Sequence, residues 1–173
     1  VHKGKTIFVG DTSVHEYPTS EQLAEIAIST ARVVRLFGFD PKVAFVSHST
    51  FGQPLTSRTK HIRNAVDILK ERKVDFEFDG DMQPDVALNP EYEELYPFSK
   101  IVGKANILIM PGQHSAAISY KMMKTLGDTK VIGPLLIGLG LPIEIAPLRS
   151  STSEIINLAS IAAYSADVID YKK

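Results

Sequence analysis

The polar residues best suited to chemistry fall in four short segments, each predicted to follow a β-strand. These segments are Ser47–Gly52, Asp79–Gln83, Pro111–Ala116 and Gly133–Gly138. Because the carboxyl ends of parallel strands meet at one edge of a sheet, we expect the four segments to form one crevice. Its hydroxyls, amides and free backbone N–H groups would suit a phosphorylated ligand, such as a nucleotide or a coenzyme A.

The third segment has the pattern of an anion site at a helix start. Gly112 ends a predicted strand, and His114 or Ser115 can cap the helix that follows. The first N–H groups of that helix and its dipole favour a negative charge. Lys121 lies a helical turn or so further on and could reach a phosphate. On these residues alone, a capped helix with a solvated Lys121 is the simpler interpretation.

A metal site is poorly supported. Asp79 and Asp81 lie close together, but no histidine has ligand spacing beside them. An Asx-type turn around Gly80 explains this pair more simply.

Hydrolase and phosphate-loop motifs are also missing. A serine, His48 or His114, and Asp79 can be assembled into a triad on paper, but no nucleophile-elbow motif accompanies them. The sequence has neither a Walker-type loop nor a G-x-G-x-x-G pattern.

Composition excludes several classes of protein. The 173 residues carry a formal net charge of −1, so no basic field is available to hold nucleic acid. With no cysteine, the chain has no disulfide, thiolate nucleophile or cysteine metal ligand, and we expect a cytoplasmic protein. No apolar run reaches the roughly 18 residues of a membrane helix, and the N-terminus lacks the apolar core of a signal peptide. Because the chain enters a strand almost at once, we expect a fragment of a longer polypeptide.

Hydrophobic spacing predicts alternating strands and helices. Short apolar runs indicate strands buried on both faces, which is typical of a parallel sheet covered by helices. The predicted strands are Thr6–Val9, Val43–Val46, Val74–Phe78 near an edge, Ile107–Met110, a run from Val131, and Ile143–Ala146. The predicted helices run from a Thr19–Gln22 capping box to Phe37, over Ser57–Lys73, Pro84–Leu88 and Pro90–Leu95, from His114 or Ser115 to Leu126, and over Glu154–Ala166 after a cap at Thr152 or Ser153.

Several segments resemble the C-terminal half of the phosphate acetyl/butyryltransferase family. They are VAFVSHSTFG (43–52), DGDMQPDVAL (79–88), KANILIMP (104–111), AISYKMM (117–123) and VIGPLLIGLGLPI (131–143), in the family's order. LNPEYEELYPFSK (88–100) and the His114–Ala116 loop are most similar to one branch, the phosphotransacetylase-like domain at the C-terminus of bacterial hybrid NADP-dependent malic enzymes. A generic nucleotide-binding α/β domain is the alternative if this resemblance is accidental.

The resemblance implies a three-layer α/β sandwich with a mostly parallel sheet. This would be the second lobe of the phosphotransacetylase fold, which is isocitrate/isopropylmalate dehydrogenase-like. Residues 1–146 would form that lobe, and residues 147–173 would return as a helical segment toward a first lobe that this chain lacks. In the family, acyl-CoA and phosphate bind between two such lobes.

One departure from the family pattern concerns catalysis. The acetyltransferases have a serine–arginine pair after the Gly-Pro…Pro strand, and an aspartate a few residues later. Alignment at Pro142 without a gap places Pro147 and Leu148 on the pair and Glu154 on the aspartate. Arg149 and Ser150 could replace the pair only with a gap. Losing such a charge-stabilising contact typically costs on the order of 100-fold in rate, so we expect no acyl transfer.

The resemblance therefore implies a regulatory domain rather than a catalytic one. It would bind acetyl-CoA as an allosteric effector and assist formation of a homo-oligomer, with a dimer contact through the 153–166 helix. The parent would be a malic enzyme using NADP and Mg or Mn, with its malic enzyme domain N-terminal to this chain and no cofactor held here. An active phosphate acetyltransferase is the alternative. The candidate acyl-CoA-binding residues are Ser47, Ser49, Thr50, Asp79, Gln83, His114, Ser115, Lys121 and Arg149.

Overall fold

Two compact units make up the computed structural model, which describes residues 1, 4–11, 13–127 and 129–168. The larger unit is Thr6–Lys121, and the smaller unit combines Val1–Lys5 with Met122–Lys173. The boundary that the sequence predicts between residues 146 and 147 stays a prediction, and residues 169–173 of the predicted C-terminal segment lie outside the described residues.

A four-stranded, fully parallel sheet forms the centre of the larger unit. Its strands are β1 (Phe8–Gly10), β2 (Lys42–Val46), β3 (Glu77–Met82) and β4 (Ile107–Ile109), in the order β1-β4-β2-β3. The helices are α1 (Ser20–Leu36), α2 (Ser57–Glu71), α3 (Pro84–Leu88), a 3₁₀ helix (Pro90–Glu94), α4 (Gln113–Leu126) and α5 (Thr152–Val168). This arrangement confirms the α/β prediction.

Both faces of the sheet are covered, as the apolar runs predict. Side chains alternate along β2, so Val43 and Phe45 pack with buried residues of α1 and α2. Ala44 and Val46 point to the opposite face, where they pack with residues that include Ala87 of α3. Three layers result, with the carboxyl ends of β4, β2 and β3 side by side at one edge.

The start of α1 follows the predicted capping box. The Thr19 side chain accepts a hydrogen bond from the Gln22 N–H at 3.2 Å, and Gln22 Oε1 accepts one from the Thr19 N–H at 2.8 Å. These two bonds satisfy backbone donors that a helix start leaves unpaired, which explains why this boundary is readable in the sequence.

Strand β3 is displaced from its predicted position. The alternation Val74–Phe78 suggests a strand ending before Asp79, but pairing with β2 begins at Glu77 and continues to Met82. Asp79 and Asp81 therefore lie inside the strand rather than in a loop after it. Their carboxylates can occupy a strand because both receive hydrogen bonds there. The predicted edge position of this strand is confirmed.

Two predicted strands are wrong. The run from Val131 and the segment Ile143–Ala146 are both irregular in the structure. Gly133, Gly138 and Gly140 weaken an extended run, and Pro134 and Pro142 have no N–H for a strand ladder. The segment Gly133–Gly138 therefore follows no strand, contrary to the prediction.

The boundaries of two helices also differ from prediction. Helix α4 begins at Gln113, which puts His114 and Ser115 inside its first turn. Helix α5 is capped by Ser151, one residue before the predicted Thr152. Ser151 Oγ accepts from the Glu154 N–H at 3.3 Å, and the Ser151 N–H donates to Glu154 Oε2 at 2.8 Å. A serine followed three residues later by a glutamate provides an acceptor for the backbone N–H of each residue, and this pair fixes the start of the helix at Ser151.

Helix α5 is mostly exposed within the chain. Over its described length, Thr152–Val168, only Leu158 is buried, whereas Ile155 and Ile156 are 49% and 58% exposed. Among the described residues, no helix is both long and apolar enough to cross a membrane.

Candidate functional site

The Ser47–Gly52 loop at the end of β2 is held by one buried carboxylate. Asp81 of β3 accepts a hydrogen bond from the Ser49 hydroxyl on Oδ2 and one from the Gly52 N–H on Oδ1 at 3.0 Å. The Phe51 N–H donates to the backbone oxygen of Asp81 at 2.6 Å. Asp81 and Ser49 are fully buried, so they fix the loop rather than face a ligand.

A second connection ties the same loop to the end of β3. The Gln83 side chain donates from Nε2 to the backbone oxygen of His48 at 2.8 Å, and the Gln83 N–H donates to Thr50 Oγ1 at 3.2 Å. The Ser47 N–H donates to the backbone oxygen of Met82 at 2.9 Å. Two of the predicted segments are therefore held together as one surface.

Asp79 connects this surface to the segment that follows the 3₁₀ helix. Its Oδ2 accepts from the Lys100 N–H at 2.8 Å, and its Oδ1 accepts from the Gly80 N–H at 2.9 Å. The Asx-type turn interpretation is therefore wrong, because the carboxylate joins β3 to a distant segment. Among the described residues no hydrogen bond joins Asp79 to His48 or His114, so the triad considered from the sequence is not assembled. Ser47 Oγ lies 3.5 Å from the neighbouring His48 Nδ1.

These connections line a cleft of about 680 Å³ within the larger unit. Three of the predicted site residues, Thr50, Asp79 and Gln83, contribute to its wall. The remaining lining residues come from the β2–α2 loop, α2, β3 and the 95–100 segment, and they are Phe51, Gln53, Arg63, Val66, Asp67, Lys70, Gly80, Leu95, Tyr96, Phe98 and Lys100. The volume is within the range of small-molecule sites in proteins.

His114 and Ser115 do not line this cleft, and both contact other groups. His114 Nε2 lies 3.5 Å from Glu16 Oε1, and the Ser115 hydroxyl donates to the backbone oxygen of Gly112 at 2.8 Å. The Gln113 N–H, expected to be free for an anion, donates to the His15 backbone oxygen at 3.1 Å. Lys121 is exposed.

Arg149 belongs to the smaller unit, where it lines a pocket of about 130 Å³. Ser150, Glu154 and Lys124 line the same pocket, together with Asn157, whose Nδ2 is buried without a hydrogen-bond partner among the described residues. Hydroxyl, guanidinium, ammonium and amide groups thus converge in this unit.

The carboxylate in that pocket, Glu154, is ionised and paired with a lysine. Glu154 Oε1 accepts from Lys124 Nζ at 2.8 Å, and Oε2 accepts from the Ser151 N–H and hydroxyl. The bond to Lys124, followed by those to Ser151, lowers the pKa of Glu154 to about 2. Ionised Glu154 therefore stabilises the start of α5 above its ordinary pKa of 4.5, and this contribution is lost as the pH falls toward 2.

Replacing Lys124 with methionine should raise the pKa of Glu154 toward its ordinary value, because the largest cause of the shift is removed. Titration of the Glu154 carboxyl carbon by NMR measures the effect. Lys121→Met, three residues earlier on α4, is the matched control and should leave that titration unchanged. An unaltered Glu154 pKa in the Lys124 variant contradicts the ion-pair explanation.

The described part of the chain contains no metal site of three protein ligands. No three His, Asp or Glu side chains there are grouped so as to hold an ion.

Sequence reasoning missed the aromatic and basic part of the cleft. Phe51 lies 4.8 Å from Phe98 and 5.5 Å from Tyr96, measured between ring centroids. Tyr96 and Phe98 lie outside every predicted strand and helix. Two aromatic residues just before Lys100 were the signal in the sequence that could have indicated a binding surface. The sequence does not show, however, that Asp79 of β3 holds this segment beside the β2–α2 loop.

Comparison with known proteins gives consistent matches over nearly the whole chain. The model of the phosphate acetyl/butaryl transferase family matches residues 1–163. The chain is 50% identical over 164 residues to the NADP-dependent malic enzyme of Rhizobium meliloti, covering 95% of this chain and 22% of that enzyme. It is 35% identical over 157 residues to the phosphate acetyltransferase of Bacillus subtilis, covering 90% of this chain and 49% of that protein.

A solved structure gives the same result for the fold. The phosphotransacetylase from Streptococcus pyogenes superposes with a TM-score of 0.89 and 34% identity, covering 95% of this chain and 50% of that chain. The chain thus spans about a fifth of the malic enzyme and about half of each of the two transferases.

Proposed function

The chain belongs to the phosphate acetyl/butaryl transferase family, and on that premise we propose that it is a regulatory domain of the malic enzyme type. In this proposal it binds acetyl-CoA as an effector and does not transfer the acetyl group. The observation that carries the proposal is the greater identity to the malic enzyme of Rhizobium meliloti than to the phosphate acetyltransferase of Bacillus subtilis. The ungapped alignment at Pro142, which places Pro147 and Leu148 on the family's serine–arginine pair, agrees with it.

The positions of those two residues support loss of chemistry. Acetyl transfer to phosphate builds negative charge on the carbonyl oxygen, which needs a hydrogen-bond donor or a cation beside it. Proline provides no hydroxyl, and the Leu148 side chain is fully exposed and apolar. Glu154, at the position of the family's aspartate, is held in an ion pair with Lys124.

Effector binding requires less of the site than catalysis does. The Ser47–Gly52 loop, Asp79 and Gln83 form a fixed wall, and the cleft beside them has room for part of a coenzyme A molecule. Regulation then follows if acetyl-CoA binds one conformation of the intact enzyme better than another. His114, Ser115, Lys121 and Arg149 remain proposed contributors to acyl-CoA binding.

The catalytic partner in this proposal is a malic enzyme domain in the same polypeptide. Such a domain would oxidise and decarboxylate malate with NADP and Mg or Mn in the cytoplasm. The described residues of this chain do not fit a role in holding the metal, because they contain no cluster of three ligands. No step of malate chemistry is therefore assigned to this chain.

We assign a dimer contact to the exposed apolar face of α5. Ile155→Glu should convert the dimer to a monomer, because it places a charge in an interface from which charges are depleted. Ile155 is preferable to Leu158, which is buried within the chain. Light scattering measures the mass, and Asn64→Glu, which adds the same charge on the exposed side of α2, is the control. A dimer that persists in the Ile155 variant rules out this contact.

An active phosphate acetyltransferase is the second candidate. Arg149 and Ser150 favour it, because both line one pocket with Glu154. An assay of the intact protein for acetyl phosphate formation from acetyl-CoA and phosphate separates the two. The regulatory proposal predicts no product above background, whereas robust formation that is lost in Arg149→Gln supports the transferase.

A further inference from the structure

The cleft of the larger unit combines an aromatic cluster with two cations that have no carboxylate partner among the described residues, and we infer that it binds the adenine nucleotide portion of the effector. This inference rests on the proposed function and deepens it. The aromatic residues are Phe51, Tyr96 and Phe98, and the cations are Arg63 and Lys100.

One aromatic side chain of the cleft is exposed, and the other two are half-buried. Phe98 is 63% exposed although it lies against Phe51 and Tyr96. The Phe51–Phe98 pair is edge-to-face, at an interplanar angle of 68°. In such a pair, the ring that contributes its edge keeps both faces free of its partner, which leaves a surface for a flat base. Stacking on such a ring accepts any base.

Arg63 is held toward the cleft by the β2–α2 loop. Its Nη1 donates to the backbone oxygen of Phe51 at 3.2 Å. The guanidinium also packs against Gly52, where a Cβ atom would collide with Nη1. Glycine is suited to that position because its φ is +81°. The absence of a side chain there also leaves room for the Arg63 guanidinium.

The charges that remain in the cleft are positive. Lys70 is paired with Asp67 at 2.7 Å, and both carboxylate oxygens of Asp79 accept backbone N–H groups. Within the part of the chain that the structure describes, neither Arg63 nor Lys100 has a carboxylate at ion-pair distance. Two such cations beside the exposed Phe98 ring match a ligand that has phosphates beside an aromatic base.

Two cleft variants test the inference in the intact protein, with ADP and acetyl-CoA as probes in calorimetry. Phe98→Ala removes the stacking ring, and Lys100→Gln removes a charge while its backbone bond to Asp79 remains. Each should weaken binding of ADP and of acetyl-CoA about tenfold. Lys100 is exposed, so its variant should keep the melting temperature. Phe98→Ala should lower it by only a few degrees, because the ring is 63% exposed but contacts Phe51 and Tyr96, and binding is compared where both proteins are folded.

Controls and outcomes separate this inference from the proposed function. Tyr17→Ala and Lys60→Gln replace an exposed aromatic residue and an exposed lysine outside the cleft, and they should bind like the unaltered protein. If acetyl-CoA binds equally well to the cleft variants, the nucleotide subsite is wrong while the effector proposal stands. If ADP binding depends on the cleft but acetyl-CoA does not bind, the subsite stands and the effector proposal fails. No binding of either probe overturns both.

Discussion

Asp81→Ala should lower the free energy of unfolding by about 3 kcal/mol, because it leaves the buried Ser49 hydroxyl and the half-buried Gly52 N–H without a partner. The Ser49 hydroxyl and the Gly52 N–H both donate to this carboxylate, and Asp81 and Ser49 are fully buried. Alanine offers no acceptor in place of the lost carboxylate, and water has poor access to the site. Urea unfolding followed by circular dichroism measures the change.

The control for this variant is Asp85→Ala, an exposed aspartate in α3. Its free energy of unfolding should stay within about 0.5 kcal/mol of the unaltered protein. The double variant Ser49→Ala/Asp81→Ala should lose less than the sum of the two single variants, because the two side chains share one hydrogen bond. Full additivity means that the Ser49–Asp81 bond does not hold the loop.

Gly80→Ala should cost a similar amount, about 3 kcal/mol, through a steric conflict in the sheet. Gly80 has a φ of +151°, which an alanine rarely adopts. A Cβ atom at this position would lie 2.8 Å from both the Cβ and the backbone oxygen of Phe45 in β2. Relief requires β3 to move away from β2, which also displaces Asp79 and Asp81.

Gly140→Ala provides the comparison for this substitution. A Cβ atom at Gly140 would meet no heavy atom within 4 Å, and the φ of this glycine is not positive, so its variant should unfold like the unaltered protein. Because the Gly80 variant distorts the cleft wall, it should also lose ADP binding at temperatures where it remains folded. Unchanged stability in Gly80→Ala contradicts the close packing of β2 and β3.

The central strands could be predicted because each depends on a short local pattern. The run Ile107–Ile109 is fully buried between two neighbours, as its continuous apolar sequence predicts. The Thr19–Gln22 box fixes α1 through hydrogen bonds between residues three apart. In the capping box the contacts lie within the pattern itself, and in the strand a continuous apolar run is enough to indicate burial on both faces.

Strand β3 and the smaller unit depend on contacts that the local sequence does not contain. Asp79 and Asp81 look like loop residues until their partners, Lys100 and Ser49, are known. The segment from Val131 is apolar enough for a strand, yet its glycines and prolines keep it irregular. An apolar composition alone therefore does not show whether a segment forms a strand or stays irregular.

The candidate site was predicted in part. The edge of the sheet does bring Thr50, Asp79 and Gln83 together, because parallel strands end side by side. The role of Asp81 and the position of Phe98 follow from long-range hydrogen bonding, which residue types and spacing do not encode. Arg149 lies in the smaller unit and lines its own pocket.

Malate oxidation by the intact protein, measured with NADP as acetyl-CoA is increased, tests the regulatory proposal most directly. We expect the rate to fall with rising acetyl-CoA, and Phe98→Ala to require about tenfold more acetyl-CoA for the same inhibition. Malate oxidation that does not respond to acetyl-CoA, together with acetyl phosphate formation by the same preparation, would contradict the regulatory role and identify an acyltransferase.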